Sequence, residues 1–243
     1  MARSISPVIS ILMLFSITLS IVLSIYFYTL YLNEAGRYAS QYGFVKNQLI
    51  SMAIRFPEIV LNKGNYMFNY PYDVVGIGYK TVDHAIYVVL MLDNESTLYR
   101  VFQYKYELAV YVKYPLVSEE RAVYNIGNKL AVDKLGDVPF IKEYYRDGFT
   151  VLEFSVLNVF KRAFKINASS ENRVVYEVWV FKILPRIIDQ GSLVVSTRDE
   201  LAERITGVKS LSIYIDNDAI FSEKFTYPVD VVLRSILLEV TII

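Results

Sequence analysis

Chemistry needs side chains that attack, bind metal or trade protons, and this chain is poor in them. It has no cysteine and a single histidine, His84. Thiol nucleophiles, disulfide frameworks, iron–sulfur clusters and thiolate zinc sites are thereby excluded, as are multi-histidine metal sites. A Ser–His–Asp arrangement would have to use His84. Asp83 precedes it, but neighbours in a strand point to opposite faces, so the two do not make one site. Gly76-Ile77-Gly78 lacks the third glycine and following helix of a dinucleotide-binding turn, and reads as a strand bulge. Glu107, Glu153 and Glu177 fall in expected strands, and their spacing marks no glycosidase pair. The expectation is a non-enzyme with no cofactor and no metal.

Two other groups of residues bear on function. Asn94-Glu95-Ser96 and Asn167-Ala168-Ser169 are N-glycosylation sequons, each placed in an expected loop. Tyrosine is abundant, with 21 copies. Tyr104, Tyr106 and Tyr114 share one parity if their strand is continuous, which would give an aromatic face for subunit contacts or glycan stacking. Plain sheet packing is the simpler account of the same residues. Lysine plus arginine number 25 against 25 acids, so there is no basic footprint and no nucleic-acid partner is expected.

The elements that must position these groups begin with an apolar rod. No Asp, Glu, Lys, Arg or His occurs between Arg3 and Glu34. A helix over residues 5–32 would be about 42 Å long, more than the ~30 Å hydrocarbon core of a bilayer. An isolated span in lipid must be helical, because lipid offers open backbone groups no partner. Tyr26, Tyr28 and Tyr31 gather at its end, as side chains with an apolar body and a wet tip do at an interface. The run is too long for a cleaved secretory signal, and bulky residues follow it. Ser16, Ser20 and Ser24 recur every four residues along one stripe. Small hydroxyl residues let helices approach closely in an apolar medium, so the stripe reads as a helix-packing face. The alternative is that each hydroxyl folds back onto its own preceding turn.

Past the rod, Tyr31, Ala35, Tyr38, Tyr42, Val45, Leu49, Met52, Phe56 and Ile59 follow a 4-3-4-3 spacing, an amphipathic seam that extends the helix to residue 62. Gly36 and Gly43 weaken it by about 1 kcal/mol each relative to Ala and are expected bending points. Pro57 should break the rod, and Asn62-Lys63-Gly64-Asn65 should end it.

Residues 63–243 read as β: short runs rich in Val, Ile, Tyr and Phe, separated by turns such as Asp93-Asn94-Glu95-Ser96 and Asp216-Asn217-Asp218. Expected strands cover 66–70, 74–80, 85–92, 98–104, 107–114, 149–159, 173–184, 192–196, 210–216, 219–227 and 233–242. The spacing of Thr197 and Glu200 predicts one short helix over 198–205, and 118–146 is ambiguous. The fold class is α+β: a long N-terminal hydrophobic helix followed by an antiparallel β-sandwich-like domain.

The opening Arg3-Ser4-Ile5-Ser6-Pro7-Val8-Ile9-Ser10-Ile11-Leu12-Met13-Leu14 resembles the N-terminus of archaeal type IV pilin-like proteins, with a short basic leader before a long hydrophobic helix. The resemblance covers about 30 residues. It implies a leader of residues 1–4, cut by a membrane-embedded prepilin peptidase between Ser4 and Ile5, with Arg3 in the basic leader. It implies further that the retained helix bundles with copies of itself or related pilins, inside a filament sheathed by external β domains. Ile9 stands where bacterial type IV pilins carry a glutamate, so the likeness is to the archaeal members. The expected protein is a subunit, suited by its large domain to a minor pilin, at the membrane or cell surface, with the β domain for adhesion. A non-polymerising single-pass anchor whose β domain binds the cell envelope or a ligand is the alternative.

Overall fold

The computed structural model describes residues 7–125, 130–168 and 171–243. Helix α1 (Pro7–Ile54) runs 48 residues, about 72 Å. It passes Gly36 and Gly43 unbroken, so neither is a bending point that ends the helix. The break comes at Arg55, and α2 (Phe56–Asn62) begins with Pro57 in its first turn, where a missing N–H costs no helical bond. Lys63 adopts a left-handed conformation (φ 50°), and the Gly64 N–H closes the turn onto the Ile59 carbonyl.

The seam then packs as its spacing dictates. Val45, Leu49, Met52 and Phe56 are almost fully buried against the sheet, with the Phe56 ring edge-on to Phe181 at 5.3 Å. Tyr38 is half-buried and Tyr31 exposed, so burial fades toward the N-terminus along one continuous stripe.

Among the described residues eleven strands follow: β1 (Tyr66–Asn69), β2 (Val75–Leu92), β3 (Thr97–Val112), β4 (Arg121–Tyr124), β5 (Ala131–Val132), β6 (Phe140–Arg146), β7 (Phe149–Ser155), β8 (Val159–Ala168), β9 (Glu171–Ile187), β10 (Ser192–Ile215) and β11 (Asp218–Ile242). They pair in the order β4-β6-β7-β3-β2-β10-β11-β9-β8-β5, with β1 added to β10. Pairing is antiparallel except for β9 with β11 and β5 with β8, so the sheet is mostly rather than wholly antiparallel. Among the described residues, all eleven strands belong to one hydrogen-bonded sheet rather than to two separately bonded ones.

Several expected short strands are halves of long ones. The 74–80 and 85–92 runs are both β2, joined across a register shift between Thr81 and His84. That shift is where the irregularity lies. Gly76 and Gly78 instead pair regularly with Tyr111 and Ala109, and the Tyr111 side chain lies across both glycines. The expected 149–159 strand is divided after Ser155.

The expected helix over 198–205 is a strand. Residues 198–205 lie inside β10 and pair with β11 from Leu237 to Val231. Thr197 donates its hydroxyl to the Ile59 carbonyl (3.0 Å), and Glu200 accepts from Ser235 on adjacent β11 and from Lys182 on β9 beyond it. The strongly β-prone run from Val231 to Leu238 imposes its partner's conformation, and tertiary pairing overrides a weak local cap signal.

Candidate functional site

The projecting half of α1 is the most conspicuous surface of the molecule. From Ile9 to Leu32 the side chains of the rod are exposed, as with Leu14 at 68% and Phe15 at 65%. By length and composition this helix can cross a membrane. Its hydroxyls are satisfied within the chain: Ser16 donates to the Leu12 carbonyl at 2.9 Å, Ser20 to Ser16 at 2.8 Å and Ser24 to Ser20 at 2.8 Å. Thr18 and Thr29 do the same with Leu14 and Ile25. Each hydroxyl has one proton to donate and it is used; two things remain for a partner helix, acceptor lone pairs and small size. In the single chain, then, the stripe of Ser16, Ser20 and Ser24 offers close approach rather than donors.

The other half of α1 is fastened to the sheet by a charged hub. Glu143 on β6 is fully buried, aligned with Ile141 on the inward face of its strand. Its carboxylate accepts from Lys46 (2.8 Å) and Tyr42 on α1, and from Arg121 on β4. Burial alone would raise its pKa, but the bonds from Lys46, Tyr42 and Arg121 outweigh it and hold the carboxyl below its ordinary range. The Tyr42 hydroxyl is pushed strongly upward by the same burial and by the adjacent carboxylate. A second clamp lies nearer the rod. Tyr114 stacks on Tyr38 at 5.3 Å and donates a 2.9 Å hydrogen bond to the Tyr31 hydroxyl. Arg37 pairs with Asp73 beside it.

A buried carboxylate pair lies deeper in the sheet. Lys80 and Glu107 are register partners on β2 and β3, and Glu153 sits on the next strand, β7. Lys80 reaches Glu153 at 2.8 Å and Glu107 at 3.7 Å, while Lys142 reaches Glu153 at 3.2 Å and Tyr144 donates to it at 2.9 Å. Burial, together with the neighbouring Glu153, raises Glu107 to about 7. Glu153 is held low: burial opposes ionisation, but bonds from Glu107, Lys80 and Tyr144 and the charge of Lys142 prevail. Two acids side by side thus share one proton, which leaves as pH rises through about 7. Their spacing along the sequence carried no hint of this, because adjacency across three strands is set only by register. Tyr104, three residues before Glu107 on β3, is fully buried with its hydroxyl 3.0 Å from Ser155 Oγ.

The remaining expected sites are scattered. Arg3, Ser4 and Ile5 lie outside the described residues. Asn94 occupies the exposed turn between β2 and β3, where its Oδ1 accepts from the Ser96 N–H at 3.0 Å. Asn167 is not in a loop: it lies near the end of β8, opposite Asn172. His84 pairs through Nδ1 with Asp216 at 2.8 Å on the surface. The proposed tyrosine face divides, since Tyr104 is in the core and Tyr114, beyond the end of β3, is engaged with α1. Among the described residues, no group of three or more His, Asp or Glu side chains could hold a metal ion. Compared with known protein families, curated sequences and solved structures, the chain matches none.

Proposed function

We propose that the chain is a subunit of a type IV pilus-like surface filament, polymerising through the apolar half of α1 and presenting its β domain outward. The observation that carries this reading is the contrast within one helix. Its C-terminal half is locked to the sheet by Glu143, Tyr114 and the buried seam, so the N-terminal half projects as a stiff uncharged rod. A rod of this kind serves two solvents in turn, lipid before assembly and a bundle of like helices afterwards. The resemblance of residues 3–14 to archaeal pilin-like proteins supports it, with prepilin peptidase and sister subunits as partners.

The external domain would carry surface contact or adhesion, with Asn94 and Asn167 as its glycosylation points. Doubling back of the single sheet would give it a sandwich-like form: the Tyr79 hydroxyl of β2 donates across to the Val240 carbonyl of β11 at 2.7 Å. The test is the mass of the mature N-terminus combined with imaging of tagged protein on cells. A chain beginning at Ile5 and found in fibres is the expected result. An intact Met1 on protein dispersed in the membrane would leave the non-polymerising single-pass anchor instead.

A further inference from the structure

A second apolar feature shares the end of the domain from which the rod emerges. Tyr72, Ile187 and Ile188 are large side chains exposed at 60% or more, and with Asp189 and Gln190 they line one recess. The recess is built, not a loose loop tip. The Ile188 N–H bonds the Ile242 carbonyl at 2.8 Å, Tyr70 bonds the Gly191 carbonyl at 2.8 Å, and the Tyr72 ring lies against Gly191.

Its height along α1 follows from the ion pair of Arg37 with Asp73, the residue after Tyr72. Leu32 is the last residue of the uncharged run, and Arg37 stands only about 7 Å farther along the helix axis. The headgroup layer on each side of a bilayer is roughly 5–8 Å deep. With the rod embedded to Leu32, Asp73 and Tyr72 stand within that layer. The 187–188 pair lines the same recess as Tyr72.

We infer that Tyr72, Ile187 and Ile188 form a membrane-interface surface, seated at the headgroup-to-acyl boundary before the subunit enters a filament. The occupant is the lipid interface because the Arg37–Asp73 ion pair ties this recess to the helix just past its uncharged run, and its lining mixes exposed apolar side chains with Asp189 and Gln190. An aromatic ring and two branched aliphatic side chains at this level gain by leaving water for the boundary, where a charged surface would not. The surface adds a second point of contact to the helix and so fixes the orientation of the domain on the membrane.

This inference rests on the reading of the rod as a membrane span, and the experiment separates the two. The chain has no cysteine, so single thiols can be introduced and labelled with a fluorophore in the full chain. The probes are Ile188→Cys and Tyr72→Cys in the recess, Ile17→Cys in the rod, and Tyr227→Cys at an exposed position of β11 well before its Ile242 end. Each is reconstituted into phosphatidylcholine nanodiscs whose lipids carry a quencher either near the headgroup or at the chain end. The expected result is loss of fluorescence at 188 and 72 with the headgroup quencher, at 17 with the chain-end quencher, and at 227 with neither. Quenching at 17 with none at 188 and 72 would overturn the interface surface and leave the span intact. No quenching at 17 would overturn both.

Discussion

Both halves of α1 are rich in apolar residues, and they meet opposite fates. Residues 42–54 put Tyr42, Val45, Leu49 and Met52 into the core, while residues 9–32 leave Leu, Ile and Phe side chains bare on every face. The difference lies in what separates the apolar positions. In the buried half, Lys46, Asn47 and Gln48 interrupt them and create a sidedness that one sheet can cover. In the projecting half the interruptions are Ser and Thr, whose hydroxyls return to their own helix, so no side is reserved for water. The number of apolar residues marks a helix as needing cover, whereas the placing of its polar residues determines whether the same chain can provide that cover.

That contrast can be broken from either side. The largest effect should come from replacing Ser16, Ser20 and Ser24 together by Leu. Assembly into filaments, scored by electron microscopy of cells, should be lost while membrane insertion and the domain's unfolding transition stay unchanged. Unimpaired filaments would remove the stripe from the assembly face. Next is Glu143→Ala, which leaves Lys46 and Tyr42 facing an empty buried position. Its expected cost is about 3–5 kcal/mol in chemical denaturation, the range for breaking one side of a buried ion pair.

A matched pair sharpens the comparison further. Leu49→Ala should destabilise the domain by about 2–5 kcal/mol through lost burial and the cavity left behind. Leu19→Ala in the rod should leave the same unfolding midpoint unmoved. A large effect at 19 would mean that the rod packs on its own domain.

The smallest effect concerns pH. Glu107 is raised to about 7 in the folded state from its ordinary carboxylate value. Its contribution is therefore full below that ordinary value and lost as pH rises through about 7. Glu143 and Glu153, both lowered, act in the opposite sense: their contributions are present at neutral pH and lost under acid. Glu107→Gln mimics the protonated form and should flatten the fall in stability between about pH 5 and about pH 8. Denaturation midpoints at the two pH values measure it, and a wild-type-like slope in the variant would assign the titration elsewhere.

Much of the architecture was readable from spacing alone. The seam from Ala35 to Ile59, the break near Pro57 and the turns at Asn94 and Asn217 are local patterns, and local patterns survive folding. Long-range pairing was not readable. The 198–205 segment carries a plausible cap and helix-tolerant residues, yet β11 lies alongside and dictates a strand. The role of Glu143 is hidden in the sequence because its donors come from Tyr42, Lys46 and Arg121, far apart in the chain. A faint signal did exist, an acid at the inward parity of Phe140–Arg146, two positions after Ile141. The Glu107–Glu153 pair had no such signal, since only the register of β3 against β7 brings the two together.

The placement of β11 has a consequence for biogenesis. It comes last among the described strands, yet it is wedged between β9 and β10. Until it arrives, two of the longest ladders have no partner, and their open edges could template pairing between neighbouring chains. A chain that lacks β11 is missing the centre of its sheet. Truncation before β11 should therefore disrupt the whole sheet rather than trim one edge of it.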